Sequence, residues 1–290
     1  MEDLTKRMLA LSVQSEHSTW KAVASKARKD LAEVLLQNAI LATQISENSK
    51  VMARFTTSAS ADDICTKYRE YLIEKYAFRR LILLRELQSI DIAQRRVNFL
   101  AEELAQNASH KKGHLILLFH FGRYLETMLV LLNKVNGNIV WAGRNHSHDS
   151  TYKSFLCLVE HELHTKCQTR FHDILNTLNS GHTVLLSPDS ANFKNAQRNN
   201  LYKIGRMTVQ FDGATDALIE QSKCTVSCVT FTNMGARRET PHVHSVVINS
   251  KTSALQTVLD RFLSDQILTF PWKWDRLKYI HRIALNRRLQ

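Results

Sequence analysis

Residues 114–126 read HLILLFHFGRYLE, and the fold turns on how this stretch is taken. Five unbroken apolar residues, Leu115 to Phe119, run into His120; Gly122 follows, and apolar residues then recur at helical spacing at Leu125, Met128, Leu129 and Leu132. An apolar run without alternation is the pattern of a strand buried on both faces, as in a parallel sheet covered by helices. The stretch is therefore expected to be strand, short turn and helix, with His120 where the strand ends. In open α/β sheets ligands bind at the carboxyl ends of strands. An imidazole held there can take a proton near neutral pH, and a carboxylate just downstream can fix its tautomer and stabilise its charged form.

Towards the C-terminus the same texture repeats. Short apolar runs at 114–119, 138–142, 183–187, 225–231 and 243–248 alternate with helical stretches at about 124–134, 149–164, 171–179, 212–222 and 253–268, and Gly181 is placed to close a helix. Alternating strands and helices predict an α/β fold with a mostly parallel sheet flanked by helices. Towards the N-terminus the texture changes, because all 8 glycines and all 3 prolines lie at or beyond Gly113. Without these turn punctuators the first 112 residues read as helices joined by short polar links. One helix carries Leu31, Val34, Leu35, Leu41 and Ile45 and is expected to stop at SENSK (46–50); a second starts at Asp62 or Asp63 and carries Ile64, Tyr68, Tyr71, Leu72, Tyr76 and Leu83; a third spans Ser89 to Gln106. The expected organisation is a helical region over 1–112 packed against an α/β core over 113–290 as one compact unit.

The chain has 290 residues, 44% of them apolar, enough for a sizeable core. A net charge of +12 attracts acidic partners: nucleic acid, an anionic membrane surface, a phosphate-bearing cosubstrate or an acidic carrier protein. The 5 cysteines are odd in number and form no CxxC pair, the usage of a reducing cytosol. The N-terminus has acidic residues where a signal peptide is basic, and no window offers the roughly 20 uncharged apolar residues of a membrane span. A cytoplasmic protein is expected, in peripheral contact with the inner membrane face at most, through amphipathic N-terminal helices and the basic, aromatic segment FPWKWDRLKYIHRIALNRRLQ (270–290).

Several chemistries lack their motifs. GxxxxGK[ST], GxGxxG and GxSxG are all missing, so neither a common nucleotide-phosphate cradle nor a hydrolase nucleophile elbow is indicated. HELH at 161–164 spaces its histidines three apart rather than four and reads as a solvated helix face. His242 and His244 share one face of a strand, as Cys224 and Cys228 do, and a zinc site across the two strands is conceivable. Lacking tight ligand pairs, they read as edge histidines and buried cysteines, and no metal is expected.

HFGRYLE at 120–126, GRN at 143–145, SPDS at 187–190, Gly205–Arg206 with a second glycine at 213, and a C-terminal W-x-W (272–274) occur in an order that resembles the lipid A late acyltransferases of the lysophospholipid acyltransferase superfamily. The resemblance covers roughly residues 110–280. That family carries an H-x4-D/E motif at a strand end, then an arginine with a nearby asparagine, then a strand with PD, then two glycines before a helix and strand. It implies a histidine general base, His120, acting on the hydroxyl or amine of an acceptor as it attacks an acyl thioester, with Glu126 orienting the imidazole. By the same resemblance, Gly122 amides or Arg144 would face the oxyanion, Arg123 and Arg144 would bind phosphate, and Asn145 and Asp189 would complete the substrate site. The donor would be an acyl carrier protein or coenzyme A thioester, acting as cosubstrate with no bound cofactor, the acceptor a small metabolite or lipid, and the source bacterial.

Two departures stand out. The family's N-terminal membrane-spanning helix has no counterpart. The acidic residue comes one position late, and on a helix one residue turns a side chain by about 100°. His120 and Glu126 then pair only if the helix starts late or bulges; otherwise Asp189 or Asp149 partners His120, or the site is inactive. Two further classes stand beside the enzyme: a non-catalytic carrier- or membrane-binding protein on the same fold, and a nucleic-acid-binding protein using basic pairs at 79–80, 95–96 and 111–112, for which no recognition motif is present. Trp272 and Trp274 read as core or interface anchors.

Overall fold

The computed structural model describes residues 25–26, 28–30, 32–33, 39–56, 59–83, 112–134, 139–143, 166–189, 199–232, 239–248 and 252–279. The helices expected at 89–106 and 149–164, HELH, and the residues Arg144, Asn145 and Asp149 lie outside these.

Strand β1 (His114–Leu118) is buried along its whole length. It lies inside a six-stranded sheet whose other strands are β2 (Ile139–Ala142), β3 (Cys167–Gln168), β4 (Thr183–Leu186), β7 (Thr225–Thr232) and β8 (Thr240–Val246), in the order β3-β2-β4-β1-β7-β8. All neighbours run parallel except β7 and β8, which are antiparallel. The mostly parallel sheet is thus the expected one. Pro241 sits on the edge strand β8, where a missing N–H costs no ladder bond on the open side.

Helix α3 (Tyr124–Lys134) follows β1 and carries the chain past β4 to β2. Helix α4 (Phe171–Asn179) leads into β4, and α5 (Ala214–Ser222) leads into β7; these two crossovers run the opposite way along the sheet, and their helices pack on each other. Right-handed crossovers running in opposite directions put their helices on opposite faces. The crevice at the carboxyl ends of β1 and β4 is therefore the switch point of the sheet, where ligands bind. Helix α4 ends as Gly181 predicts: at φ +83 it lets Gly181 N–H donate to the Leu178 carbonyl at 3.0 Å and His182 N–H to that of Thr177 at 3.2 Å, the two bonds of a Schellman cap.

Three features depart from the sequence reading. Helix α1 (Ala39–Ala53) runs through SENSK instead of ending there, because Ser49 is buried and its hydroxyl donates to the Ile45 carbonyl at 2.8 Å, a bond the helix tolerates. Helix α2 (Ala61–Leu83) begins just before the two aspartates, and Ser60 caps it by accepting from Asp63 N–H at 3.2 Å. Between β4 and α5 the chain adds an antiparallel hairpin, β5 (Asn199–Ile204) and β6 (Met207–Asp212). It turns at Gly205–Arg206 with only Gly205 at positive φ, the two-residue loop of a II′ type.

After β8 one long helical stretch, α6 (Ala254–Val258), a π turn (Leu259–Leu263) and α7 (Ser264–Thr269), leads to two 3-10 turns at Pro271–Lys273 and Asp275–Tyr279. Helix α2 packs on the first turn and α1 on the second. The helical region therefore rests against the core, as expected, and meets it through the segment that carries W-x-W.

Candidate functional site

Parallel pairing sets the distance between the two residues that matter most. Leu117 stands opposite Leu186, and three residues further along each chain come His120 and Asp189. The aspartate arrives on the turn of Ser187-Pro188-Asp189, and its Oδ1 lies 2.6 Å from His120 Nδ1. The backbone N–H of His120 donates to the same carboxylate, 3.0 Å from Oδ2 and 3.2 Å from Oδ1, and the indole Nε1–H of Trp274 donates to Oδ2 at 3.0 Å. Asp189 is fully enclosed while 16% of the His120 side chain is exposed. Burial alone would raise the Asp189 pKa, but His120, Arg276 and the Trp274 hydrogen bond outweigh it and hold the group below its ordinary value. An ionised carboxylate on Nδ1 fixes the tautomer with the proton on Nδ1 and leaves the Nε2 lone pair for a substrate proton.

The third member comes from the C-terminal turn. Arg276 Nη2 lies 3.3 Å from Nδ1 and 3.4 Å from Nε2 of His120. Nearly equal distances to both nitrogens put the guanidinium over the ring face rather than in line with either lone pair. Burial, and next the Arg276 charge, lower the His120 pKa against the opposing pull of Asp189. The tyrosine ring of Tyr124 meets the imidazole edge-on with centroids 4.7 Å apart.

A short antiparallel contact holds this turn to the histidine loop. Phe121 bridges Trp274, Gly122 N–H donates to the Lys273 carbonyl at 2.9 Å, and Asp275 N–H donates to the His120 carbonyl at 2.8 Å. Gly122 has φ +57, and a Cβ there would meet Glu239 Oε2 at 2.8 Å and the Phe231 ring at 3.1 Å, so the turn requires glycine. Buried Glu239 accepts from Arg123 N–H at 3.0 Å and pairs with Lys273 Nζ at 2.8 Å. From α2, Tyr71 donates to the Gly122 carbonyl at 3.2 Å, and Lys75 pairs with buried Asp275 at 2.5 Å. The floor is aromatic: Phe211 of the hairpin packs edge-on against Phe119 and Trp274, at 6.2 and 6.4 Å.

Of the residues picked out in the sequence, His120, Gly122, Arg123 and Asp189 meet here. Asp189, expected among the substrate contacts or in place of Glu126 as the partner of His120, stands as the carboxylate on the imidazole. Glu126 lies on α3 with its side chain outside the described residues, and the Nδ1 position assigned to it is held by Asp189. Trp274 is a core anchor as expected, and also a ligand of Asp189. Arg276, Glu239, Lys273, Tyr71 and Lys75 are not marked as site residues by the sequence: Lys75 is one charge among many in α2 and Arg276 one of three charged residues in its turn, and only tertiary packing brings them to the histidine. The histidines of β8 have other partners, His242 with the Thr232 hydroxyl at 2.9 Å and His244 with that of Thr230 at 2.8 Å. Among the described residues no three His, Cys, Asp or Glu side chains gather to hold a metal, and no helix is long and apolar enough to cross a membrane.

Compared with known proteins, the chain matches no family model, and no curated protein matches its sequence.

Proposed function

We propose that this protein is an acyltransferase that moves an acyl group from an acyl carrier protein or coenzyme A thioester to a nucleophile, a hydroxyl or an amine, on a small metabolite or lipid, with His120 as general base and Asp189 as its orienting carboxylate. The observation that carries the reading is the state of His120: Nδ1 is taken by a buried, ionised carboxylate, and the ring sits partly exposed at the end of a central parallel strand. Nε2 takes the acceptor proton as the acceptor attacks the thioester carbonyl. The tetrahedral intermediate collapses by breaking the C–S bond, and the thiolate recovers the proton from the imidazolium, leaving acylated acceptor and free thiol. Asp189 stabilises the imidazolium between these steps without taking its proton. The order of the sequence blocks, which resembles that of the lipid A late acyltransferases, supports the same reading, and the basic balance suits an acidic carrier protein or the phosphates of coenzyme A.

The test is thiol release from acyl carrier protein and coenzyme A thioesters of several chain lengths, with and without a metabolite and lipid extract. Extract-dependent release that is lost in His120→Ala and strongly reduced in Asp189→Asn is the expected result. Release unaffected by His120→Ala would overturn the assignment of the base.

A further inference from the structure

The placement of Arg276 says more about the acceptor than the dyad does. Its guanidinium lies over the imidazole of His120, within 3.4 Å of the nitrogen that is left for the substrate. We infer that Arg276 is a positioning residue: its guanidinium, held against the His120 ring, sets a fixed positive charge beside Nε2 that opposes a second one there and turns away cationic acceptors, so that the nucleophile is a hydroxyl and not a protonated amine. The inference rests on the acyltransferase reading for the acceptor, but not for the charge state of the histidine.

Among the described residues the groups facing the imidazole are few. Asp189 comes from the loop after β4, Arg276 and Asp275 from the C-terminal turn, and Tyr124 from α3, while Lys75 of α2 neutralises Asp275. Asp189 and Arg276 offset each other, as do Asp275 and Lys75, so the neutral imidazole leaves the cluster balanced and a proton on it adds a positive charge beside a fixed one. The two backbone hydrogen bonds that make the bridge between residues 273–275 and the histidine loop hold the turn, and with it Arg276, in place.

A base must lie within about 3 Å of the proton-bearing atom, which puts the acceptor atom at most ~6 Å from the guanidinium. That is inside the screening length of roughly 8–10 Å in physiological salt. Asp189, bonded to the opposite nitrogen, is farther from that position and cannot offset the repulsion fully. An ammonium group must both enter against this charge and lose a proton before attacking, whereas a hydroxyl enters uncharged and develops negative charge as it reacts.

Two measurements decide the matter. The first is an NMR titration of the full chain with labelled histidine rings, with His120 assigned by its loss in His120→Gln, comparing wild type, Arg276→Gln and Arg276→Lys. The His120 midpoint should rise by about one pH unit in Arg276→Gln, a tenfold gain in proton affinity, and fall back in Arg276→Lys. Arg276→Met, which keeps the apolar stem, takes the place of the glutamine variant if that one does not fold. An unmoved midpoint in a folded variant overturns the role of Arg276 and leaves the acyltransferase reading standing. The second is the linkage in the product formed from the metabolite and lipid extract. Cleavage by alkaline but not by neutral hydroxylamine marks the expected ester, and an amide resistant to both overturns the acceptor class. No turnover with any donor counts against the acyltransferase reading and takes the acceptor class with it, while the titration still decides what Arg276 does to His120.

Discussion

At the scale of single residues, the carboxylate on His120 Nδ1 should dominate the kinetics. Asp189→Asn keeps the shape but removes the charge that stabilises the imidazolium, and its single carbonyl oxygen cannot accept from both the imidazole and the Trp274 indole, so a fall in kcat on the order of 10²–10⁴-fold is expected. Glu126→Gln should leave kcat within about threefold, because Asp189 already fills the orienting position; a collapse of activity in that variant with Asp189 intact would return the carboxylate role to Glu126. The pH profile follows from the lowered pKa of His120. The neutral imidazole is the active form, so kcat/KM should be at its plateau at pH 7 and decline only as pH falls through a midpoint below the ordinary 6.5 of histidine. A second histidine makes a separate prediction about stability. Buried His114 shares a hydrogen bond of 2.8 Å with the Ser227 hydroxyl between β1 and β7, and burial pushes its pKa from 6.5 to about 4. Between those values the unfolded chain binds a proton that the native state refuses, so the stability present above pH 6.5 is lost as pH falls towards 4. The loss is on the order of 3 kcal/mol over that window, and urea midpoints at pH 7 and pH 4.5 should draw together in His114→Gln.

At the scale of elements, local punctuation made some of the fold legible and left the rest hidden. Helices α3 and α4 span Tyr124–Lys134 and Phe171–Asn179, the ranges the apolar spacing predicts, because a glycine turn precedes the first and Gly181 closes the second. The β5–β6 hairpin is not among the expected strands although Met207, Val209 and Phe211 alternate with polar residues and Gly205–Arg206 supplies a two-residue turn; its half-buried face leaves no uniform apolar run. The dyad was half legible. His120 and Asp189 each follow an apolar run, and Asp189 was already one of the open alternatives, but only the strand order places β4 beside β1, and no local pattern fixes that order. Trp274 and Arg276 lie far along the chain and reach the site through a backbone contact with a loop, which leaves no period to read. The tightness of that loop is testable at Gly122. Alanine there must hold φ +57 and place its Cβ 2.8 Å from Glu239 Oε2, so Gly122→Ala should cost at least ~1 kcal/mol in chemical denaturation, and activity should fall further than the lost stability explains because His120 is two residues away.

At the scale of the whole molecule, the helical region and the core meet through a buried ion pair beside the site. Lys75 of α2 and Asp275 of the C-terminal turn both have less than a tenth of their side chains exposed, and their contact at 2.5 Å stands next to the residue that covers His120. Tyr124 also donates to Asp275 at 3.4 Å, and Tyr71 of α2 to the Gly122 carbonyl at 3.2 Å, so the histidine loop is tied to α2 directly at Gly122 and through Asp275 at His120. A pair of this kind contributes little net stability, because taking two charges out of water consumes most of what their attraction returns, but removing one partner strands the other. Lys75→Met alone should therefore destabilise the chain by roughly 3–5 kcal/mol, and Asp275→Leu alone by a similar amount. The double variant should recover most of that loss, since no unpaired charge is left. Function should not recover with it: Asp275 carries the N–H that binds the His120 carbonyl and precedes Arg276, so an apolar pair of different shape shifts the guanidinium relative to the ring. Denaturation and thiol-release rates measured across the four members of this cycle separate the two roles. Recovery of stability without recovery of rate is the outcome that makes α2 a support for the site, whereas parallel recovery of both would reduce the contact to ordinary packing between the helical region and the sheet.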